Sequence, residues 1–144
     1  MKAMTCLMAG LVLTLAGSAW AQRQVSPVDL RTNPMSFRNA GITVTDSYVP
    51  ARAGITEPMA KSGYTLDKYV AFGLRETRIP CFARRGSAAA EKVAGLKPGM
   101  LITVTGTVRQ PVAKVKRGPR DRTERIKLER VLIEVSAIEL GPAK

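Results

Sequence analysis

The 144-residue sequence has no histidine, only two cysteines, and eleven acidic residues against twenty-three Lys and Arg. Without His the chain lacks the commonest metal ligand, the His-dependent nucleophile pairs and the group that titrates nearest neutral pH. Its four Asp and seven Glu are scattered singly, so no paired-carboxylate or metal-ligand spacing appears. The composition therefore points to a binding protein rather than an enzyme, with neither cofactor nor metal. Of the two cysteines, Cys6 lies in a segment expected to be removed, and a lone Cys81 cannot form an internal disulfide. Cys81 sits in the apolar run Ile79 to Ala83 and reads as a buried structural thiol, against the alternatives of a nucleophile or an intermolecular link. Aromatics are scarce too. With three Tyr, three Phe and one Trp, a long base-stacking platform is not available.

The N-terminus carries a three-part export pattern. Lys2 gives a positive start, Leu7 to Leu15 is a short apolar run, and Ser18-Ala19-Trp20-Ala21 supplies small residues before a cut after Ala21. The apolar run is too short to span a bilayer, which argues against a retained membrane anchor. Leu15-Ala16-Gly17 is followed by Ser18 where a lipidated Cys would stand, so a periplasmic or secreted protein without a lipid anchor is expected. Residues 1–21 are then a cleaved signal peptide, 22–35 an extended N-terminal arm holding Pro27 and Pro34, 36–140 the folded domain and 141–144 a tail.

What the chain has in excess is positive charge. It carries +12 overall, and +11 once Lys2 leaves, which attracts polyanions whatever the fold. Arg outnumbers Lys by 14 to 9, and the guanidinium fork suits phosphate better than an ammonium does. A general taste for Arg codons would produce the same ratio. The charge concentrates between Arg109 and Arg130, where nine cations meet only Asp121, Glu124 and Glu129.

Alternation predicts the strands. The first covers Gly41 to Val49, and Pro50 to Gly63 reads as a long loop. The second, Tyr64 to Arg75, puts Val70, Phe72 and Leu74 on one face and Tyr69, Ala71, Gly73 and Arg75 on the other. A tight turn at Glu76-Thr77 leads into the third, Arg78 to Arg84, where Pro80 implies a sheet edge. Ser87 caps a short helix, Ala88 to Leu96, stopped by Gly95 and Pro98. The fourth strand is Leu101 to Arg109 and the fifth about Lys127 to Leu140. In the fifth, Val131, Ile133, Val135 and Ala137 share a face until Ile138 and Leu140 break the register, which predicts a bulge near Ser136.

This order, with a helix between strands 3 and 4, resembles the OB-fold, an all-β five-stranded Greek-key barrel. The resemblance covers Ser36 to Leu140. Its best local piece is Gly95-Leu96-Lys97-Pro98-Gly99-Met100-Leu101-Ile102-Thr103-Val104-Thr105-Gly106, which looks like the helix exit and fourth strand of OB domains. Haem-delivery OB proteins would need a His. Another small antiparallel barrel or sandwich is the rival fold, since strand order is not written in one sequence.

The resemblance implies a binding face on strands 2 and 3, flanked by the loops between strands 1 and 2 and between strands 4 and 5. Arg75, Arg78 and Arg84 would line that groove and Tyr69 would stack. Lys116, Arg117, Arg120, Arg122 and Arg125 in the basic loop between strands 4 and 5 would contact phosphate. Phe82 falls either on this face or in the core. The basic run is either a solvated hairpin laced by weak pairs or a presented site, and Gly118-Pro119 favours presentation. Single-stranded nucleic acid or another polyanion is thus the first candidate ligand. An exported protein would meet nucleic acid in DNA uptake, in extracellular DNA or in a biofilm matrix. The alternative is an envelope module that binds an acidic protein or an anionic membrane surface.

Overall fold

The computed structural model describes residues 23–50, 57–117 and 122–142. The signal-peptide pattern of residues 1–21 lies outside them. Strict alternation builds the longest strand, β2 (Gly41–Pro50), after a short β1 (Arg23–Gln24). In β2, Ile42, Val44, Asp46 and Tyr48 are buried while the residues between them stay partly exposed. β3 (Tyr69–Leu74), β4 (Cys81–Arg84), β5 (Leu101–Arg109) and β8 (Leu132–Leu140) complete a closed sheet. Its order is β2-β3-β4-β8-β5, and β5 returns to pair with β2 over Gly41 to Ser47. Only β4 and β8 run parallel within that ring. This is the topology of the five-stranded OB-type barrel. The Arg109–Leu132 connection folds as a separate two-stranded ribbon of β6 (Val112–Arg117) and β7 (Arg122–Lys127).

The barrel interior holds Ile42, Val44, Phe72, Leu74, Cys81, Ala83, Ile102, Val104, Val108, Ile133, Val135 and Ile138, all nearly inaccessible. Of the predicted elements, β5 has the expected bounds, and the bulge falls where the broken alternation puts it. Thr105 pairs with Ala137 and Gly106 with Val135, which leaves Ser136 as the extra residue. Gly106 is needed there. A Cβ at this position would run into the Glu134 carbonyl oxygen and lie 3.0 Å from Ile133 Cγ2.

Four expectations are corrected. The segment read as an extended arm holds a helix, α1 (Pro27–Thr32), whose N-cap Ser26 accepts from Asp29 N–H at 3.1 Å and whose Leu30 is fully buried. Pro27 opens this helix, because proline at the first helical position loses no hydrogen bond there. A 3₁₀ turn at Pro34–Phe37 follows. The predicted long loop contains a second helix, α2 (Glu57–Lys61), so the second predicted strand begins at Tyr69 rather than Tyr64. Thus the described residues hold three short helices where one is expected, the third being α3 (Ala88–Ala94), capped by Ser87 as predicted. The third predicted strand is not an edge. β4 lies between β3 and β8, and Pro80 escapes the conflict by sitting just before the strand, where its carbonyl accepts from Ile133 N–H at 2.9 Å. The fifth strand starts at Leu132, because Lys127 belongs to the ribbon.

One buried carboxylate fixes the barrel end at the β3–β4 turn. Asp46 occupies an inward position of β2 and is 4% exposed. It accepts from Thr77 N–H and Thr77 Oγ1, both at 2.8 Å, and from Glu76 N–H at 2.9 Å. A buried acceptor matched by that many donors is stabilising, whereas any one of them left alone would be costly. Arg78, in the same turn, is held at φ 57°, a left-handed conformation that a non-glycine residue adopts only when its surroundings impose it.

Candidate functional site

The outward face of β3 and β4 is where an OB-type barrel presents its ligand surface. In this chain that face is covered. Phe82 points outward from β4 yet is 1% exposed, in a second apolar cluster with Met59 of α2 and Leu132 of β8. Tyr64, Tyr69, Ala71 and Leu128 pack around it. The three rings are spent on each other: Tyr64 lies 5.1 Å from Tyr69 and 5.3 Å from Phe82, and Tyr69 meets Phe82 edge-on at 6.2 Å. Tyr69 is therefore a half-buried packing residue, which corrects its assignment as an open stacking plate. The cover exists because the loop after β2 folds as α2 and lies against β6, so two segments meet over the face that they flank in the expected arrangement.

A polar edge borders this cluster. Tyr64 donates its hydroxyl to Glu134 Oε2 at 3.3 Å, and Arg109 Nε stands 3.6 Å from the same oxygen. Burial first, then the Glu134 charge, push the Tyr64 phenol up to about 12. Cys81 is fully buried, its thiol pushed up by burial and secondarily by the Asp46 carboxylate, an environment that suppresses the reactive thiolate.

The strand-borne arginines do not converge. Arg84 is exposed directly across from Tyr69, at one end of the β3–β4 pair. Arg75 and Arg78 are exposed at the other end, roughly 20 Å away at ~3.3 Å per residue. Arg85 is turned aside and donates from Nε to the Leu66 carbonyl at 2.6 Å. The expected cationic groove over an aromatic floor is thus split into two ends flanking a closed patch.

The ribbon does bring cations together. β6 and β7 carry Lys114, Lys116, Arg117, Arg122, Arg125 and Lys127 against one carboxylate, Glu124. Their antiparallel register sets Lys114 opposite Arg125, and Arg117 opposite Arg122. Glu124 pairs with Val115 in that register, and Lys127 with Val112, so no carboxylate stands directly across from a cation. Like charges directly opposed in a sheet are destabilising. The ribbon also has two distinct faces. Ala113 is buried and its partner Ile126 half-buried, while Val112, Lys114, Arg125 and Lys127 are exposed on the opposite side. Arg125 is thus a surface cation as expected, joined by Lys114 and Lys127, which were not among the predicted site residues. Lys116, Arg117 and Arg122 are placed by their backbone alone, and Arg120 lies outside the described residues. Among the described residues there is no cluster of His, Cys, Asp and Glu suited to a metal ion, and no helix is long and apolar enough to cross a membrane.

Comparison with known proteins bears on the fold. No protein-family model matches the sequence, and no curated protein matches it closely enough to count as a relative. Among solved structures, the chain is similar to a putative aspartyl-tRNA synthetase from Leishmania major Friedlin, with a TM-score of 0.50 and 11% identity over 83% of this chain. The chain spans only 21% of that protein's length. It is also similar to an OBody bound to hen egg-white lysozyme, with a TM-score of 0.45 and 14% identity over 81% of this chain and 90% of the other. A second lysozyme-bound OBody gives a TM-score of 0.40 and 14% identity over 73% and 84%. At 11% identity the first of these likenesses shows the fold alone.

Proposed function

We propose that this protein is an exported, non-enzymatic binding module that takes a polyanion, nucleic acid foremost, on the exposed face of its β6–β7 ribbon. The observation that carries this reading is the direct opposition of Lys114 and Arg125 on a ribbon whose other face packs inward. That pairing costs stability in the free protein and is relieved when a phosphate lies between the two charges. Arg84 beside Tyr69 and the separate Arg75–Arg78 end supply peripheral charge rather than the main contact. In sequence, Lys116, Arg117, Arg120 and Arg122 extend the same positive run. A buried Cys81 and the lack of His support a binding role over a hydrolytic or redox one.

The test is fluorescence anisotropy of the protein with labelled nucleic acid across a salt series, with heparin, lipopolysaccharide and an acidic protein as competitors. Binding that weakens linearly in log salt, and that falls on charge reversal at Lys114 and Arg125, is expected. Binding that is indifferent to both would remove the ribbon from the site. Selective capture of the acidic protein or the lipopolysaccharide would reassign the module to an envelope partner.

A further inference from the structure

We infer that the ribbon is shaped for the major groove of double-helical DNA, and that single strands are not the preferred form of nucleic acid. The inference rests on the polyanion reading above and narrows its ligand. Sequence-tolerant recognition of single strands needs aromatic plates on which unstacked bases can lie. Here Tyr64 and Tyr69 are half-buried and packed against each other and against the buried Phe82, so their rings are engaged with one another rather than held open for bases. What remains for recognition is fixed charge on a fixed backbone.

The dimensions favour a groove. Two six-residue strands make a ribbon about 20 Å long, with strands ~4.8 Å apart. With side chains it is comparable in width to the B-form major groove, which is about 12 Å wide and ~8.5 Å deep and admits a two-stranded ribbon. Its exposed face carries Lys114 and Arg125 side by side and Lys127 two residues along β7 from Arg125. That step is about 6.7 Å, roughly two axial phosphate repeats of one DNA strand. The opposite face, with Ala113 buried, is the side that keeps the ribbon seated on the domain, α2 lying against β6. An A-form duplex closes the same route, since its major groove is deep and narrow. The geometry therefore selects duplex DNA over both single strands and duplex RNA.

The experiment measures the full-length protein against four labelled or competing probes at matched salt: a short DNA duplex, one of its single strands, the RNA duplex of the same sequence, and heparin. About tenfold tighter binding to the DNA duplex than to the strand or the RNA duplex is expected from the groove fit. The triple substitution Lys114→Gln, Arg125→Gln, Lys127→Gln should lower the slope of log affinity against log salt by about 2.7, at ~0.9 for each phosphate that is no longer neutralised. Lys97→Gln, exposed in the turn before β5 and at the end of that strand away from the ribbon, should leave that slope unchanged. Equal or tighter binding to the single strand or the RNA duplex would overturn the groove inference while leaving the polyanion reading in place. Absence of binding to all four probes would overturn both. A far-ultraviolet circular dichroism spectrum and melting temperature matching the parent protein identify the triple variant as folded. Should it fail that check, the single substitution Lys114→Gln replaces it, with an expected slope change of about 0.9.

Discussion

The barrel and the ribbon are built on opposite principles. In the barrel, every strand but the short outlying β1 has a neighbour on both sides, the interior is apolar, and the buried Asp46 carboxylate is satisfied by donors from within the chain. In the ribbon, two strands pair only with each other, and the register places a lysine across from an arginine. The first region closes on itself, whereas the second sets like charges against each other. Substitutions should accordingly destabilise one region and weaken binding in the other.

The largest expected effect lies at the bulge. Gly106→Val drives a side chain into the Glu134 carbonyl and should destabilise the protein by about 3 kcal/mol or more, measured by urea unfolding. Asp46→Ala comes next. It removes the acceptor of three backbone N–H groups, Ser47, Glu76 and Thr77, and of the buried Thr77 hydroxyl, and should cost about 3 kcal/mol in the same assay without altering the ribbon's salt dependence. Tyr64 gives a pH-dependent effect. Its phenol is raised from the ordinary 10.0 to about 12, so above pH 10 the unfolded chain loses this proton before the folded one does, and stability falls as the pH rises toward 12. Tyrosinate absorbance should show a late step that Tyr64→Phe removes. The smallest effect has the opposite sign. Lys114→Glu converts a like-charge pair with Arg125 into an opposite-charge pair and should raise stability by ~0.5 kcal/mol while reducing DNA affinity. If it raised both, the ribbon's charges would be a structural accident and the contrast between the regions would collapse.

Much of the barrel was legible because alternation is a local property. Leu101 to Arg109 could be read residue by residue, and the bulge at Ser136 announced itself when Ile138 fell out of phase. Helix α1 was obscured because Pro27 signals both an extended segment and a helix start, and only the buried Leu30 shows which applies. The ribbon's basic character was plain, but its site was not. Which cations face each other depends on where the chain turns, a pairing fixed by register rather than by composition. The covered face was the hardest to foresee. Met59 and Phe82 lie on different elements that meet only in the tertiary structure, so a tyrosine that looks exposed by strand phase becomes part of a second core. Strand phase tells inside from outside a barrel and is silent on what then covers the outside.

The bulge has a consequence for how the barrel finds a single arrangement. In a uniformly alternating strand, a slip of two residues leaves every side chain on its proper face, so burial alone does not forbid it. In β8 the extra Ser136 breaks that symmetry, and the close approach it creates is tolerated only opposite a residue without a side chain, Gly106. The pair works as a key and its ward, fixing the stagger at which five strands can close. Residues between Gln110 and Val131 lie outside this lock. The ribbon can therefore lengthen, shorten or change its charge from one descendant sequence to the next while the barrel that carries it stays in register.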